Sequence, residues 1–287
     1  MKKKYPADVF LNGGWVPADQ AKVSVFDRGF LFGDGIYEVI PFYHGKLFTL
    51  EAHLDRLKTG LKEVEITYPV DALRTVVAEA VSRNGQPSGI VYLQLTRGVA
   101  PRTHYFPTDT EPTVFAYAAP YAFDGFEKKL ATVIVSEDFR WHRCDLKSVS
   151  LIANVLANNE AHQLGVAENV FHRGEYITEG SHTSVFFVRD GVLFTHPEGT
   201  HILPGITRSV VLDIAKRLGI EAREEAVSLS GLRTVSEAFL TGTTAQVTAI
   251  GTVRHRGETW QIGRGEAGPV TKRIQQAFIE EIDSLLR

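Results

Sequence analysis

Lys147 is the residue with the clearest chemical options in this chain, within the stretch 140–162. An apolar, β-branched run at 131–135 precedes it and reads as a buried strand. After it come Val149, Ile152, Val155 and Leu156 at helical spacing, with Ser148 or Ser150 as the N-cap. Lys147 is therefore expected where a strand hands over to a helix, near the positive end of the helix dipole. A cation there is unfavourable by about 0.3–1 kcal/mol. Two roles suit such an amine: a solvated lysine at a loop edge, or an amine kept neutral by its surroundings that forms a Schiff base with a carbonyl. Spacing does not choose between them. Arg102 and His104, two apart on an extended segment, point the same way. That suits one carboxylate held between them, although the pair taken in isolation reads first as a solvated basic loop.

Anion sites are the second chemical theme. Pro204-Gly205 precedes a helical segment at 206–218, whose first backbone N–H groups are free to bind an anion. Gly242-Thr-Thr244 is a small, hydroxyl-rich loop of similar capability. Arg56 lies beside the stripe Leu50, Leu54, Leu57 and Leu61 of an amphipathic helix, where a surface arginine is the usual outcome. His142, His162 and His172 lack ligand spacing with Cys144, so no metal site is expected.

The elements that must position these groups read as a mixed α/β chain. Residues 9–16 form a hairpin turning at Asn12-Gly13. Gly33-Asp-Gly35 feeds a strand at 36–40 in which Tyr37 and Val39 share one face and Glu38 and Ile40 the other. Tyr37 is there either a core aromatic or a site residue. After the leucine-striped helix, a second helix at 70–83 stops at Asn84-Gly85, and strands follow at 89–96 and 113–119. Pro120, Gly125, Lys128 and Lys129 mark a change of composition, which places a domain boundary within 120–126. The second half adds hairpins turning at Arg173-Gly174 and Asp190-Gly191, with Glu179 just after a strand at 175–178. A strand at 238–241 and a closing helix at 270–286 complete it.

Composition narrows the class of protein. A length of 287 residues fits one large or two medium domains, and 44% hydrophobic with 23% charged residues is ordinary for a globular chain. A net charge of -3 gives no reason to expect nucleic acid or an anionic membrane as partner. One cysteine, Cys144, permits no internal disulfide and fits a reducing compartment. The basic start Met1-Lys-Lys-Lys-Tyr-Pro is followed by no apolar h-region, and no run is long enough to span a bilayer, so a cytoplasmic location is expected.

Several separated motifs, in order, resemble one family. They are Asp27-Arg-Gly-Phe-Leu-Phe-Gly-Asp-Gly-Ile-Tyr-Glu-Val39, Thr96-Arg-Gly-Val-Ala-Pro-Arg-Thr-His-Tyr-Phe-Pro107, the Lys147 segment, Thr178-Glu-Gly-Ser181 and Leu203-Pro-Gly-Ile-Thr-Arg208. Together they are similar to the fold-type IV, pyridoxal-phosphate-dependent aminotransferases, and among these to the D-amino-acid (D-alanine) transaminases. The resemblance implies a smaller N-terminal α/β domain (1–119), a linker (120–126) and a larger C-terminal cofactor-binding domain (127–287) with a mixed, barrel-like sheet. It implies that Lys147 carries the cofactor as a Schiff base and moves the proton, while Glu179 pairs with the protonated ring nitrogen. Arg56, backbone N–H groups at Ile206 and Thr207, and the hydroxyls of Thr243 and Thr244 would bind the phosphate. Tyr37, Val39 and His182 would face the substrate, and Arg102 with His104 would trap its carboxylate from the partner subunit of a homodimer.

The implied reaction moves an amino group from a D-amino acid, of the D-alanine or D-glutamate type, to a 2-oxo acid such as 2-oxoglutarate or pyruvate. The alternatives within the fold are a branched-chain L-amino-acid aminotransferase, an (R)-amine transaminase and, further off, an aminodeoxychorismate lyase. A scaffold that kept the fold without catalysis is the reading from outside enzymes. Arg102 and His104 argue for the D-amino-acid reading. The chain departs from that pattern at Ser181-His-Thr183, where a run of serines is usual, and at Gly242 and Ala245, where serines flank the threonines. These changes remove hydroxyls, and His182 adds bulk and a group able to carry charge.

Overall fold

The computed structural model describes residues 6–123 and 125–286. The basic start at 1–5 and Asp124 of the expected linker lie outside the described residues. Two compact units divide the rest: 6–122 with Leu146–Ser150 and Leu286, and 123 and 125–145 with 151–285.

In the first unit, β1 (Asp8–Leu11) and β2 (Gly14–Pro17) form the expected hairpin. Asn12 and Gly13 both take positive φ, the combination a two-residue type I′ turn requires. A one-turn helix, α1 (Arg28–Phe32), follows; it is N-capped by Asp27, and nothing in the local spacing announced it. Then come β3 (Gly35–Tyr43), β4 (Lys46–Leu47), α2 (Leu50–Glu63), α3 (Leu73–Asn84), β5 (Gly89–Thr96) and β6 (Thr113–Pro120). The sheet is antiparallel, in the order β2-β1-β6-β5-β3-β4. One face packs on the helices, joining Leu54, Leu57 and Leu61 of α2 and Leu73 and Val77 of α3 to Ile36, Ile40, Val91, Leu93 and Ala116. On the other face, Tyr37 stacks on Tyr92 (5.6 Å) and Tyr92 on Tyr117 (5.4 Å), all half-buried.

The second unit comprises β7 (Leu130–Glu137), α4 (Ile152–Gln163), β8 (Glu168–Arg173), β9 (Tyr176–Gly180), β10 (Ser184–Arg189), β11 (Val192–Thr195), α5 (Ile206–Arg217), β12 (Ala222–Glu224), β13 (Glu237–Gly242), β14 (Gln246–His255), β15 (Glu258–Gln261) and α6 (Pro269–Ser284). Its mixed sheet runs β12-β11-β10-β13-β14-β7-β8-β9, with β15 on β14. The β7–β8, β7–β14 and β11–β12 pairs are parallel. Val133, Val185, Leu240, Ile250 and Val253 form its core, and α5 and α6 pack against β13 and β14.

Two local expectations need correction, and one face of the helix is a finding of its own. The helix of the lysine stretch begins at Ile152 after Leu151, with no side-chain cap, so neither Ser148 nor Ser150 caps it and Val149 is outside it. Its apolar stripe is not buried by this chain: Ile152 is 73%, Val155 55% and Leu156 56% exposed, whereas Ala157 and Ala161 pack inward. Small alanines let the helix approach β8 closely, and the bulky side chains turn outward. Finally, Glu179 lies within β9 instead of after a strand, because the strand continues to Gly180.

Candidate active site

Lys147 is not at a helix N-terminus. Its segment runs extended against the start of β3, with Tyr37 N donating to Lys147 O (3.0 Å) and Val149 N to Gly35 O (3.0 Å) around an Ile36–Ser148 bridge. Sheet pairing, not a helix dipole, therefore fixes the lysine. Opposed residues of paired strands project the same way, and Lys147 Nζ lies 4.5 Å from the Tyr37 ring centroid. The first glycine of Gly33-Asp-Gly35 makes this docking possible. Gly33 has φ +67°, and a Cβ there would lie 2.3 Å from Ser150 Oγ; that hydroxyl instead donates to the Gly33 carbonyl at 3.0 Å.

Glu38 and Arg56, on facing elements, form a buried pair. Arg56 donates from Nε to Glu38 Oε1 and from Nη2 to Oε2, both at 2.7 Å, and His53 Nδ1 lies 2.7 Å from the same Oε2. Burial alone would raise the Glu38 pKa. The Arg56 charge and the hydrogen bonds from Arg56 and His53 outweigh it and hold the carboxyl at about 2. Burial lowers the His53 pKa, against the opposing pull of Glu38, and the cations of Arg56 and Lys147 push the same way as burial. The result is a guanidinium held in one orientation by a bidentate carboxylate. The pattern in the sequence was an acid on the helix-facing side of a strand whose other members are apolar, a position that demands a partner.

In the second unit, Glu179 is buried beside Arg140, whose Nη1 donates to Oε1 at 2.7 Å; Leu203 N donates to Oε2 at 3.1 Å. Asp138 accepts from Arg140 and from Arg173, both at 2.9 Å. Burial pushes the Glu179 pKa up to about 7, against the lowering pull of Arg140 and the Leu203 N–H. Each carboxylate oxygen accepts one of these hydrogen bonds, fewer than the two its lone pairs can take.

Glu168, which no sequence pattern had singled out, organises the turn at 181–183. It accepts from Ser181 Oγ (2.5 Å), Ser181 N (3.1 Å), Asn169 N (2.8 Å) and Thr183 Oγ1 (2.7 Å). The exposed His182 places Nδ1 3.0 Å from Glu168 Oε2 and 3.1 Å from Asn158 Nδ2. Burial raises the Glu168 pKa, but the His182, Ser181 and Thr183 contacts bring it below the ordinary carboxylate value.

The residues expected to bind an anion in this unit lie at the start of one helix and in one turn. Gly205 precedes α5, whose first turn has no side-chain cap. A Cβ at Gly205 would lie 2.7 Å from Ser184 Oγ. Thr243 and Thr244 form the turn between β13 and β14, and the Thr241 hydroxyl at the end of β13 is buried with no hydrogen-bond partner. A buried orphan hydroxyl points to a missing polar partner. In the first unit, Arg102 and His104 are at least partly exposed and flank one ring, Phe32, at 5.0 and 5.7 Å. Val39 shares the half-buried face with Tyr37. Among the described residues no cluster of histidines, cysteines and acids suits a metal.

The class IV amino-transferase family model matches residues 35–253. The chain belongs to the class IV amino-transferases. It is 41% identical to the D-alanine aminotransferase of Staphylococcus haemolyticus across 96% of this chain and 98% of that protein. Against the D-alanine aminotransferase of Listeria monocytogenes the identity is 40%, over 96% of each. Among solved structures, the branched-chain amino acid aminotransferase of Escherichia coli is similar at a TM-score of 0.87 and 29% identity, over 96% of this chain and 94% of that one. The T.th. branched-chain amino acid aminotransferase with pyridoxamine 5′-phosphate gives 0.87 at 28%, over 98% and 96%. This class IV amino-transferase thus shares its fold with the branched-chain enzymes, and its sequence more closely with the D-alanine enzymes.

Proposed function

We propose that this class IV amino-transferase is a D-amino acid:2-oxo acid aminotransferase with pyridoxal 5′-phosphate as cofactor. The observation that carries this reading is the loop Pro101-Arg-Thr-His104, with Arg102 and His104 set against one aromatic ring, in a chain 41% identical to D-alanine aminotransferases. A guanidinium and an imidazole so placed suit a carboxylate.

The residues present fit the cofactor. An uncapped helix N-terminus and an orphaned hydroxyl in the same unit suit a phosphate. The backbone N–H groups of Ile206 and Thr207, the turn hydroxyls of Thr243 and Thr244, and Arg56 would bind it. Glu38 and His53 keep the Arg56 guanidinium from swinging away. Lys147 Nζ would hold the aldehyde carbon. Glu179, whose charged form burial disfavours, would gain a cationic partner in a protonated ring nitrogen. Pyridoxal phosphate, when bound, supplies the electron sink that stabilises negative charge at the substrate α-carbon.

The chain's own residues do the rest. Lys147 Nζ takes the proton from the α-carbon, and the Tyr37 ring beside it restricts where that amine can reach. Arg102 and His104 fix the α-carboxylate and so decide which face of the α-carbon meets the lysine. Val39 and His182 are assigned to the substrate side chain; a small apolar group and an imidazole suit D-alanine or D-glutamate, with pyruvate or 2-oxoglutarate as acceptor. We further read the enzyme as a homodimer, supported by the outward apolar face of α4, Ile152, Val155 and Leu156. A reducing, cytoplasmic setting suits Cys144, a buried thiol whose pKa burial pushes up to about 11. No helix among the described residues is long and apolar enough to cross a membrane.

The deciding experiment adds D- and L-amino acids one at a time to the yellow holoenzyme, without a keto acid. D-alanine should bleach the cofactor absorbance and L-leucine should leave it. Bleaching by L-leucine alone would replace this reading with the branched-chain one. Lys147→Ala should abolish the borohydride-sensitive colour.

A further inference from the structure

The Arg102–His104 loop lies at the surface, yet its geometry is held by buried charge. Arg28, at the start of α1, has a side chain only 3% exposed. Its Nε donates to Asp34 Oδ2 at 2.8 Å, and its Nη1 donates at 2.7 Å to the main-chain carbonyl of Thr103, the residue between Arg102 and His104. Its guanidinium also lies 4.7 Å from the Phe32 ring, the ring that Arg102 and His104 approach. Asp34 is clamped from its other side by Arg97, through Nε to Oδ2 (2.8 Å) and Nη2 to Oδ1 (3.1 Å). Arg97 in turn donates to the carbonyls of Val64 (2.6 Å) and Glu65 (3.0 Å) and sits 3.6 Å from the Phe106 ring, just past the loop. The foot of the loop is tied as well, Arg28 N donating to Gly98 O at 2.9 Å.

We propose that Arg28 is a positioning residue for recognition of the substrate α-carboxylate. Through the Thr103 carbonyl it sets the tip of the loop, and through Phe32 it sets the surface against which Arg102 and His104 rest. The inference rests on the reading of that pair as the carboxylate site. A charged donor is suited to the task, since a hydrogen bond from a guanidinium to a carbonyl is stronger than a neutral one. Asp34 keeps Arg97 when Arg28 is changed, so substitution leaves no buried carboxylate without a partner.

The test is a coupling experiment on holoenzyme. Arg28→Gln, Arg28→Lys, Arg102→Ala and the double variant Arg28→Gln/Arg102→Ala are compared for kcat and KM with D-alanine and with 2-oxoglutarate. Arg28→Gln should raise both KM values by about tenfold, the size of one lost charged hydrogen bond. Both kcat and cofactor absorbance should change far less. Arg28→Lys, which keeps a cationic donor, should recover part of the loss. In the Arg102→Ala background the same change should add less than about twofold, because the group being positioned is gone. Unchanged KM values in a folded Arg28→Gln enzyme, or losses that multiply fully with those of Arg102→Ala, would overturn the proposal. If the glutamine variant does not fold, Arg28→Lys in both backgrounds decides the matter by the same two criteria. A wild type inert toward D-alanine would sink the functional reading together with this inference; an active wild type without coupling sinks the inference alone.

Discussion

Replacing Glu38 with glutamine tests the buried pair behind the expected phosphate ligand. Oε1 accepts from Arg56 Nε, and Oε2 accepts from Arg56 Nη2 while facing His53 Nδ1. An amide has one oxygen, so at least one Arg56 N–H must face another N–H group, and the guanidinium loses its counter-charge. The carboxyl is displaced from an ordinary 4.5 to about 2. At about 1.4 kcal/mol per pH unit, that is about 3 kcal/mol of stability at neutral pH, in line with breaking a buried ion pair. The sign follows from linkage. Because the folded-state pKa is depressed, the contribution is complete above about 4.5 and drains away as pH falls toward about 2. Urea unfolding of wild type and Glu38→Gln at pH 7.5 and again at pH 4 should therefore show a gap of about 3 kcal/mol that narrows on acidification. Cofactor affinity, measured by fluorescence titration, should fall in the variant. Equal unfolding free energies at pH 7.5 together with unchanged cofactor affinity would refute the role assigned to the pair.

Three other outcomes are expected. The apoenzyme should lose stability as pH rises from about 4.5 to about 7, because burial raises the Glu179 pKa and its charging is disfavoured in the fold; Glu179→Gln should flatten that slope in thermal melts across pH. A Cβ at Gly180 would lie 2.2 Å from Thr183 Oγ1 and 2.8 Å from Glu168 Oε2, so Gly180→Ala should cost about 1–3 kcal/mol in urea titrations by displacing the 181–183 turn. Leu156→Asp, on the exposed face of α4, should shift light-scattering mass from dimer toward monomer while leaving far-UV circular dichroism unchanged.

How much was legible in the sequence depended on the range of the interaction involved. The Asn12-Gly13 turn, the leucine stripe of α2 and the glycine stop of α3 rest on contacts within a few residues, and all three form as expected. The strand β14 carries no local signal although it is central to its sheet: most of it is buried on both faces, so no alternation distinguishes it, and it begins at Gln246 with φ +51° just after a threonine turn. The helix expected right after Lys147 starts later, since pairing with Gly35 and Tyr37, far back in the chain, claims that backbone first.

The chain's order of residues, alone, determined the kinds of chemistry on offer: an amine, an arginine–histidine pair, two segments whose backbone and hydroxyl groups suit an anion, and the motifs of one family. Tertiary structure decided the state of each group. It set Lys147 beside Tyr37, gave Arg56 its Glu38, Glu179 its Arg140 and Glu168 its serine and threonine donors, and tied Thr103 to Arg28. Those pairings join residues distant in the chain, and removal from water makes them matter, because an unpartnered charge in the interior is far costlier than one at the surface. Burial is a property of the folded chain, and no local pattern of residues records it.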